Sequence, residues 1–352
     1  MGPGPDLYSF WGHSAVRVVD PVKGDLVYNF GSVDFSGNFF MRMVRGEVEA
    51  FVGVSSYDAT ERSYIAEDRT FTRRVLDLTP AQAESVATHL ERYLHGDRHS
   101  YVYHHFKDNC VTRVADEIDR AVGGELSREA RTIDSGRTLR DEALGAIRRN
   151  GLWMVAVDLA IAGATDVPIT VWQTTFLPRR FDELLDRTIL EGRPLVKEKI
   201  EVYRSKTIDE NAQPIWPWIH VYLFLLLPIC GLILWRPRAG AMVFGLFVGL
   251  LGFALFLLWA PTNYDFTHHN WNVLILPLTH ALFAFGARKS AWIRWAPRLR
   301  AYAFGHLLLL LAIGVLHLVS VIHQSVGPAL GFAIPPVLLL TGKIRKVHSV
   351  TP

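Results

Sequence analysis

Cysteine is scarce: 352 residues hold only Cys110 and Cys230. Cys110 lies in a polar stretch and Cys230 inside a long apolar run. The two are therefore not expected to meet in a disulfide, and Cys230 reads as an inert core or lipid-facing residue. Charge of one sign is lacking too. A net charge of +3, with no basic tract interleaved with aromatics in the first half, gives no ground for a nucleic-acid partner. No basic segment followed by a short apolar one opens the chain, so no signal peptide is visible. Internal repeats and low-complexity tracts are missing as well.

What the chain has in excess is apolar residues, at 50%, and they are unevenly spread. Up to about residue 210 the composition is that of an ordinary globular protein, with charges throughout. From Ile215 onward long apolar runs dominate and charge is confined to short spacers. The expected division is a core at 1–125, a helical and irregular extension at 126–214, transmembrane helices at 215–342 and a tail at 343–352.

Short β-like runs open the first part. Val16 to Val19 and Leu26 to Phe30 are separated by Asp20-Pro21 and Lys23-Gly24-Asp25, which is turn chemistry, and predict a hairpin with His13 near its start. Val33 to Phe40 and Glu47 to Val54 continue in strands and loops, and Tyr64 to Leu78 has a half-polar strand pattern. Thr79-Pro80 then starts a helix with Val86, Leu90, Tyr93 and Leu94 on one face. A second helix is predicted over Val111 to Val122, ended by Gly123-Gly124, with Asp108 or Asn109 as its N-cap. Leu139 to Ile147 and Phe181 to Ile189 are the clearest amphipathic segments beyond it.

That second helix is where the chemistry is expected. Its start puts the Cys110 sulfur at the positive end of a helix dipole, which favours thiolate over thiol. A thiolate nucleophile wants a base, and His13, in Phe10-Trp11-Gly12-His13-Ser14-Ala15, is the candidate. Taken singly, each has a plainer reading, Cys110 as a buried structural thiol and His13 as a satisfied strand histidine. His104 and His105 also lie close to Cys110 but lack further Cys or acidic ligands at zinc spacing, so no metal and no cofactor is expected. Arg113, one turn into the helix, can meet a phosphate or simply Asp116 or Glu117, and Trp11 joins it as a candidate substrate contact.

Charge orients the apolar part. The runs fall at about 216–235, 241–260, 271–287, 302–322 and 326–341. The first, second and fourth are long enough to span a bilayer, and the third and fifth are short enough to be tilted or re-entrant. Arg236 and Arg238 fill the first spacer, Arg288, Lys289, Arg294, Arg298 and Arg300 the third, and Lys343, Arg345 and Lys346 the tail. The second spacer carries only Asp265, and the fourth carries no charge. Basic residues collect on the cytoplasmic side, which puts the C-terminus inside, the first part of the chain outside, and the number of spans at five. An extracytoplasmic domain before the first span needs an export signal, so a native start that is missing or processed is expected. Trp216, Trp218, Trp235 and Trp259 read as interface residues. His268, His269 and Asn270 lie in the outward spacer, as lipid head-group ligands, docking residues or solvated loop.

Several ordered motifs together resemble a bacterial family, the Lnb N-terminal periplasmic domain. They are Leu7-Tyr8-Ser9-Phe10-Trp11-Gly12-His13-Ser14-Ala15-Val16-Arg17-Val18, then Val27 to Phe35, then Leu76-Asp77-Leu78-Thr79, then Tyr101 to Arg113 with its Asn109-Cys110 pair. Phe176-Leu177-Pro178 and His268-His269-Asn270-Trp271-Asn272 extend the resemblance through nearly the whole chain. The resemblance implies an α+β, permuted NlpC/P60-like (papain-like) extracytoplasmic domain, in which the His precedes an Asn-Cys pair, followed by an α-helical transmembrane domain of about five spans. It implies lipoprotein N-acyltransferase activity at the bacterial inner membrane. An acyl chain from a phospholipid, or from the lipoprotein's own glyceride, would pass through a Cys110 thioester to the amine of a diacylglyceryl-cysteine. By matching position, a polar residue on the strand after the His orients it; Asn29 is the choice, ahead of Asp34 and Tyr28. Two other readings compete: a cell-wall peptidase or amidase using the same dyad, and a non-enzymatic membrane scaffold.

Overall fold

The structure is a computed structural model that describes residues 1–6, 9–95, 100–208, 218–287 and 289–348; Leu7, Tyr8, Trp216 and Arg288 fall outside it, as do the side chains of Trp218, Arg345 and Lys346. The chain divides into two compact units. One comprises Met1–Ile147 with Pro168–Gln213, the other Arg148–Val167 with Pro214–Pro352. This grouping differs from boundaries at 125 and 214, for two reasons. The helix Leu139–Ala146 is fastened to the first unit by buried Glu142, which takes Arg180 Nη2 at 2.7 Å and Nε at 2.8 Å. The helix Gly151–Ala160, by contrast, is apolar save for Asp158 and lies with the other apolar helices.

The first unit is a mixed α/β head built on a four-stranded antiparallel sheet. Strand Val16–Asp20 turns into strand Gly24–Val33 because the Asp20 carboxylate accepts the amides of Val22 and Lys23, both at 2.8 Å, and Gly24 takes the left-handed conformation at φ +92. Strand Glu49–Ser56 pairs with the second strand and strand Ser100–Val102 with the third. Between Asn29↔Gly53 and Ser32↔Phe51 the second strand carries one extra residue, a bulge around Gly31 at φ +85. A two-stranded sheet, Phe71–Leu76 with Val196–Tyr203, ties the late part of the head back to its middle.

Two predicted strands are helical in part. Tyr57–Ala66 is a helix because Ser56 caps it, its hydroxyl accepting the Ala59 amide, so the strand expected from Tyr64 begins only at Phe71. Phe39–Arg45 is a helix closed by left-handed Gly46. The other expected helices stand close to their predicted bounds: Pro80–His95, Cys110–Ala121 and Pro178–Arg187. The Cys110 helix lays Val111, Val114, Ala115 and Ile118 against Tyr28, Phe30, Val52 and Leu90, a fully apolar contact that fixes where its first residue lies. Each such side chain is worth about 1.5–3 kcal/mol when buried.

The second unit holds helices Gly151–Ala160, Trp218–Trp235, Pro237–Trp259, Asn272–Ile275, Lys289–Leu318 and Gly327–His348, with a 3-10 helix over Leu278–Ala287. Among the described residues three stretches are long and apolar enough to cross a membrane: Pro237–Trp259, Lys289–Leu318 and Gly327–Ile344. The fifth expected run is therefore longer than the apolar pattern indicates. The third is not an α-helix over most of its length, since its backbone lies against the glycine face of Pro237–Trp259.

Candidate active site

The Asn109-Cys110 start is held from both sides. Asn109 Oδ1 accepts the amides of Val111 at 2.8 Å and Thr112 at 2.9 Å, while Thr112 Oγ1 takes the Asn109 amide at 2.8 Å. This reciprocal cap decides between the two candidates: Asn109 caps and Asp108 does not. Asn109 Nδ2 donates to the carbonyls of His105 at 2.7 Å and Phe176 at 2.9 Å, so every polar atom of this buried amide is used. Asp108 instead pairs with Arg113, whose Nη2 reaches it at 2.6 Å. The Arg113 guanidinium lies 4.2 Å over the Tyr101 ring, so Asp116 and Glu117 are not its partners here.

His13 follows Gly12, whose φ of +82 turns the chain into the first strand. Its Nε2 lies 3.2 Å from Asn29 Oδ1. Asn29 Nδ2 points the other way, to the Val27 carbonyl and Ser55 Oγ, each at 3.4 Å, which sets the amide oxygen toward the imidazole. Of the other two candidates for this contact, Tyr28 donates its hydroxyl to Glu91, and Asp34 accepts from the amide and hydroxyl of Ser36. The backbone N–H next in sequence to His13, that of Ser14, is directed at the Cys110 sulfur. The turn that follows His13 thus lies at the start of the Cys110 helix.

The electrostatics depart from the expected thiolate. Burial pushes the Cys110 thiol above its ordinary value, although the N–H groups of Ser14, Val111 and Cys110 favour the anion. Burial likewise pushes His13 from 6.5 down to about 4, against the Asn29 hydrogen bond, which raises it. Desolvation outweighs the helix end, and both groups rest uncharged. Tyr64 and Tyr101 stand close to Cys110; burial holds Tyr64 up at about 12 and raises Tyr101 as well. Neither tyrosine was picked out from the sequence, although Tyr101 stands in the aromatic run before the helix.

Trp11 donates its indole N–H to the Ala143 carbonyl at 3.3 Å and meets the His105 ring edge-on at 4.5 Å. His105 is boxed by Trp11, Phe106 and Phe176, and burial lowers it to about 4. His104 Nδ1 accepts the amides of Phe106 at 3.2 Å and Lys107 at 3.1 Å. Both histidines serve the turn that leads into the Cys110 helix, and among the described residues no three His, Cys, Asp or Glu side chains are grouped to hold a metal ion.

His268, His269 and Asn270 belong to the other unit. Asn270 is buried and its Nδ2 donates to the carbonyls of Leu159 at 2.8 Å and Ala160 at 3.0 Å, while its Oδ1 takes Gln324 Nε2 at 2.8 Å. Those carbonyls are the open end of the helix Gly151–Ala160. His268 Nε2 lies 2.7 Å from the Thr262 carbonyl, and His269 stands in the left-handed region at φ +57 with its ring 6.4 Å from Trp259. Asn270 thus spends its amide N–H groups on backbone carbonyls and its oxygen on Gln324 and the Asn272 amide, and His268 Nε2 lies on a backbone carbonyl, all within this unit.

Residues 1–141 match the Lnb N-terminal periplasmic domain. The match takes in His13, Asn29 and Cys110 and stops inside the helix Leu139–Ala146, so the stretches around Phe176 and His268 lie beyond it. No curated protein and no solved structure matches the chain. The Lnb domain and the three long apolar helices make this a membrane protein with an N-terminal domain of periplasmic type.

Proposed function

We propose that the Lnb domain is a thiol acyltransferase. It moves an acyl chain from a phospholipid, or a lipoprotein glyceride, through a Cys110 thioester to the N-terminal amine of a diacylglyceryl-cysteine. The observation that carries this reading is the bond from His13 Nε2 to Asn29 Oδ1 at 3.2 Å. An amide oxygen accepts only from N–H, so Nε2 carries the proton and Nδ1 is left as the base.

The cycle balances on these groups alone. Cys110 gives its proton to His13 Nδ1 as sulfur attacks the ester carbonyl. Charge on the former carbonyl oxygen meets the backbone N–H of Cys110 at the helix start. The C–O bond breaks, His13 returns the proton to the leaving alkoxide, and a lysolipid departs from the thioester. The acceptor amine then loses a proton to His13 and attacks. The C–S bond breaks, and the sulfur recovers its proton. The buried, uncharged resting pair favours this order, since charge forms only when the ester enters. The NlpC/P60-like reading of the fold is supported by the order of parts, a His before its strand and an Asn-Cys helix later in the chain.

The test is mass spectrometry of Cys110 after the full chain is incubated with phospholipid vesicles. The expected result is an acyl adduct that hydroxylamine removes and that disappears in His13→Ala. Asn29→Ala should slow its formation by roughly 10- to 100-fold. No adduct from phospholipid or from diacylated lipopeptide, together with cleavage of muropeptides, would overturn the proposal in favour of a peptidase.

A further inference from the structure

The helix Phe39–Arg45, sequence FFMRMVR, buries none of its residues. Phe40 is 70% exposed, as is Phe35 before it, and Met41 and Met43 are 47% and 41% exposed. The Phe35 and Phe39 rings touch each other at 4.8 Å rather than entering the core. An apolar cluster of this kind on a surface marks a contact with something outside the fold. The helix carries no acid in its first turn and two arginines, Arg42 and Arg45, in its last. Asp34, the carboxylate just before it, is occupied by the Ser36 amide and hydroxyl, both at 2.8 Å. Arg42 Nη2 braces the arm through the carbonyls of Asp34 at 3.1 Å and Ser36 at 3.4 Å, while Arg45 is exposed.

The arm is joined to the wall of the Cys110 site at both ends. It leaves the sheet after Val33, two residues beyond Gly31, where an added side chain would stand 3.6 Å from Cys110 Cβ. It returns at Val48, whose carbonyl accepts the Tyr103 amide at 2.8 Å, and the Tyr103 ring borders Gly31 as well.

We infer that residues 34–48 form an arm that inserts into an anionic lipid surface, with Phe35, Phe40, Met41 and Met43 at the acyl boundary and Arg45 on lipid phosphates. Phenylalanine and methionine share the helix Phe39–Arg45 with two arginines and no acid, Asp34 and Glu47 lying outside it at the two ends of the arm, and this combination is complementary to an anionic head-group layer. The same chain carries three helices long and apolar enough to cross a membrane, which makes a lipid surface the natural occupant. A helix of seven residues would not hold in water alone; here Gly46 closes it and the paired strands below fix its ends. The arm's purpose, to present an ester-bearing lipid at Cys110, rests on the acyltransferase reading; its insertion does not.

The experiment uses the full chain with Cys110→Ser and Cys230→Ser, reconstituted in phosphatidylethanolamine–phosphatidylglycerol vesicles. An NBD fluorophore is attached at Phe40→Cys, and for comparison at Val22→Cys, a turn residue that is 92% exposed. The expected result is blue-shifted emission at position 40, quenched by nitroxide-labelled lipid, with water-like unquenched emission at position 22. Arg45→Glu, or vesicles without phosphatidylglycerol, should weaken the quenching. Water-like emission at position 40 overturns the proposal. So does a blue shift without lipid quenching, which would mean cover by protein, either a peptide or a second copy. Since the reacting sulfur is absent from this variant, insertion without any acylation of the native chain would sink the acyltransferase reading and leave the arm standing. In the native chain, Phe40→Ser with Met43→Ser should lower acylation from vesicles severalfold while leaving alkylation of Cys110 by iodoacetamide unchanged.

Discussion

His13 and His105 share a property that a sequence does not display: each is held neutral by burial, at about 4 against an ordinary 6.5. For His13 this leaves a usable lone pair at neutral pH. For His105, boxed in aromatic rings with an unpartnered Nε2, it is only a liability in acid. The folded state refuses a proton that the unfolded chain accepts between about pH 6.5 and 4. Stability from a depressed histidine is therefore whole above 6.5 and lost as pH falls toward 4, by about 3 kcal/mol for each residue at most. His105→Phe keeps the aromatic box and removes one of the two terms. Its head domain should lose about half as much stability as the wild type between pH 7 and pH 4.5. Reaction of Cys110, 8% exposed when folded, with a disulfide reagent that works in acid would follow the unfolding. Equal acid sensitivity in both proteins would show that His105 is not held neutral. At this scale the sequence was informative about types and silent about surroundings. Cys110 at a helix start was legible from Asn109 and the apolar spacing behind it. That its thiol would rest protonated was not, because desolvation depends on Tyr28, Phe30 and the Ser14 turn folding over it.

Elements were legible where caps mark their ends. Thr79-Pro80 and Asn109 each announce a helix, and the helices stand where those residues put them. The exceptions arise where a partner element, not local sequence, sets the backbone. The bulge at Gly31 belongs to this class, and so does the 3-10 stretch Leu278–Ala287. Along Pro237–Trp259 the glycines 245, 249 and 252 form a face with no side chains. A Cβ on Gly252 would lie 2.1 Å from the Leu276 carbonyl oxygen and 2.6 Å from the Leu278 amide; one on Gly249 would lie 2.8 Å from the Ala281 amide. Backbone packs directly on backbone, which is the use of small residues between membrane helices. Gly252→Val should therefore displace the segment at a cost of about 1–3 kcal/mol or more, seen as lost monodispersity and early unfolding in detergent. Gly305→Ala has nothing within 4 Å of its new methyl and should leave stability unchanged or raise it by up to about 1 kcal/mol. If the two variants behave alike, the glycine face is not what holds the segment.

For the whole molecule, the count of crossings turns on this same segment. Its apolar run is short by helical arithmetic, which is why tilt or re-entry was open from the sequence. The contacts along Pro237–Trp259 give its direction: Leu276 and Leu278 lie beside Gly252, Ala281 beside Gly249, and Phe283 beside Gly245. The segment thus runs antiparallel to that helix without turning back. A 3-10 helix rises about 2.0 Å per residue against 1.5 Å for an α-helix, so its ten residues and the four of the short helix Asn272–Ile275 before them rise about 26 Å, close to the roughly 30 Å of a hydrocarbon core. The spacer at its start carries one charge, Asp265, and the next begins with Arg288 and Lys289. A segment with a charge-poor end and a basic end is a crossing under the charge rule. With Trp218–Trp235 and the three longer helices the prediction is five crossings, an odd number, which would put the C-terminus on the side opposite the N-terminal domain. Reporter fusions check each step. Alkaline phosphatase should be active after Asn263 and inactive after Lys289 and at the C-terminus, with a fluorescent protein giving the inverse pattern. Active phosphatase after Lys289 would mean that the segment returns to the side it came from, and the even count would then put the basic tail outside.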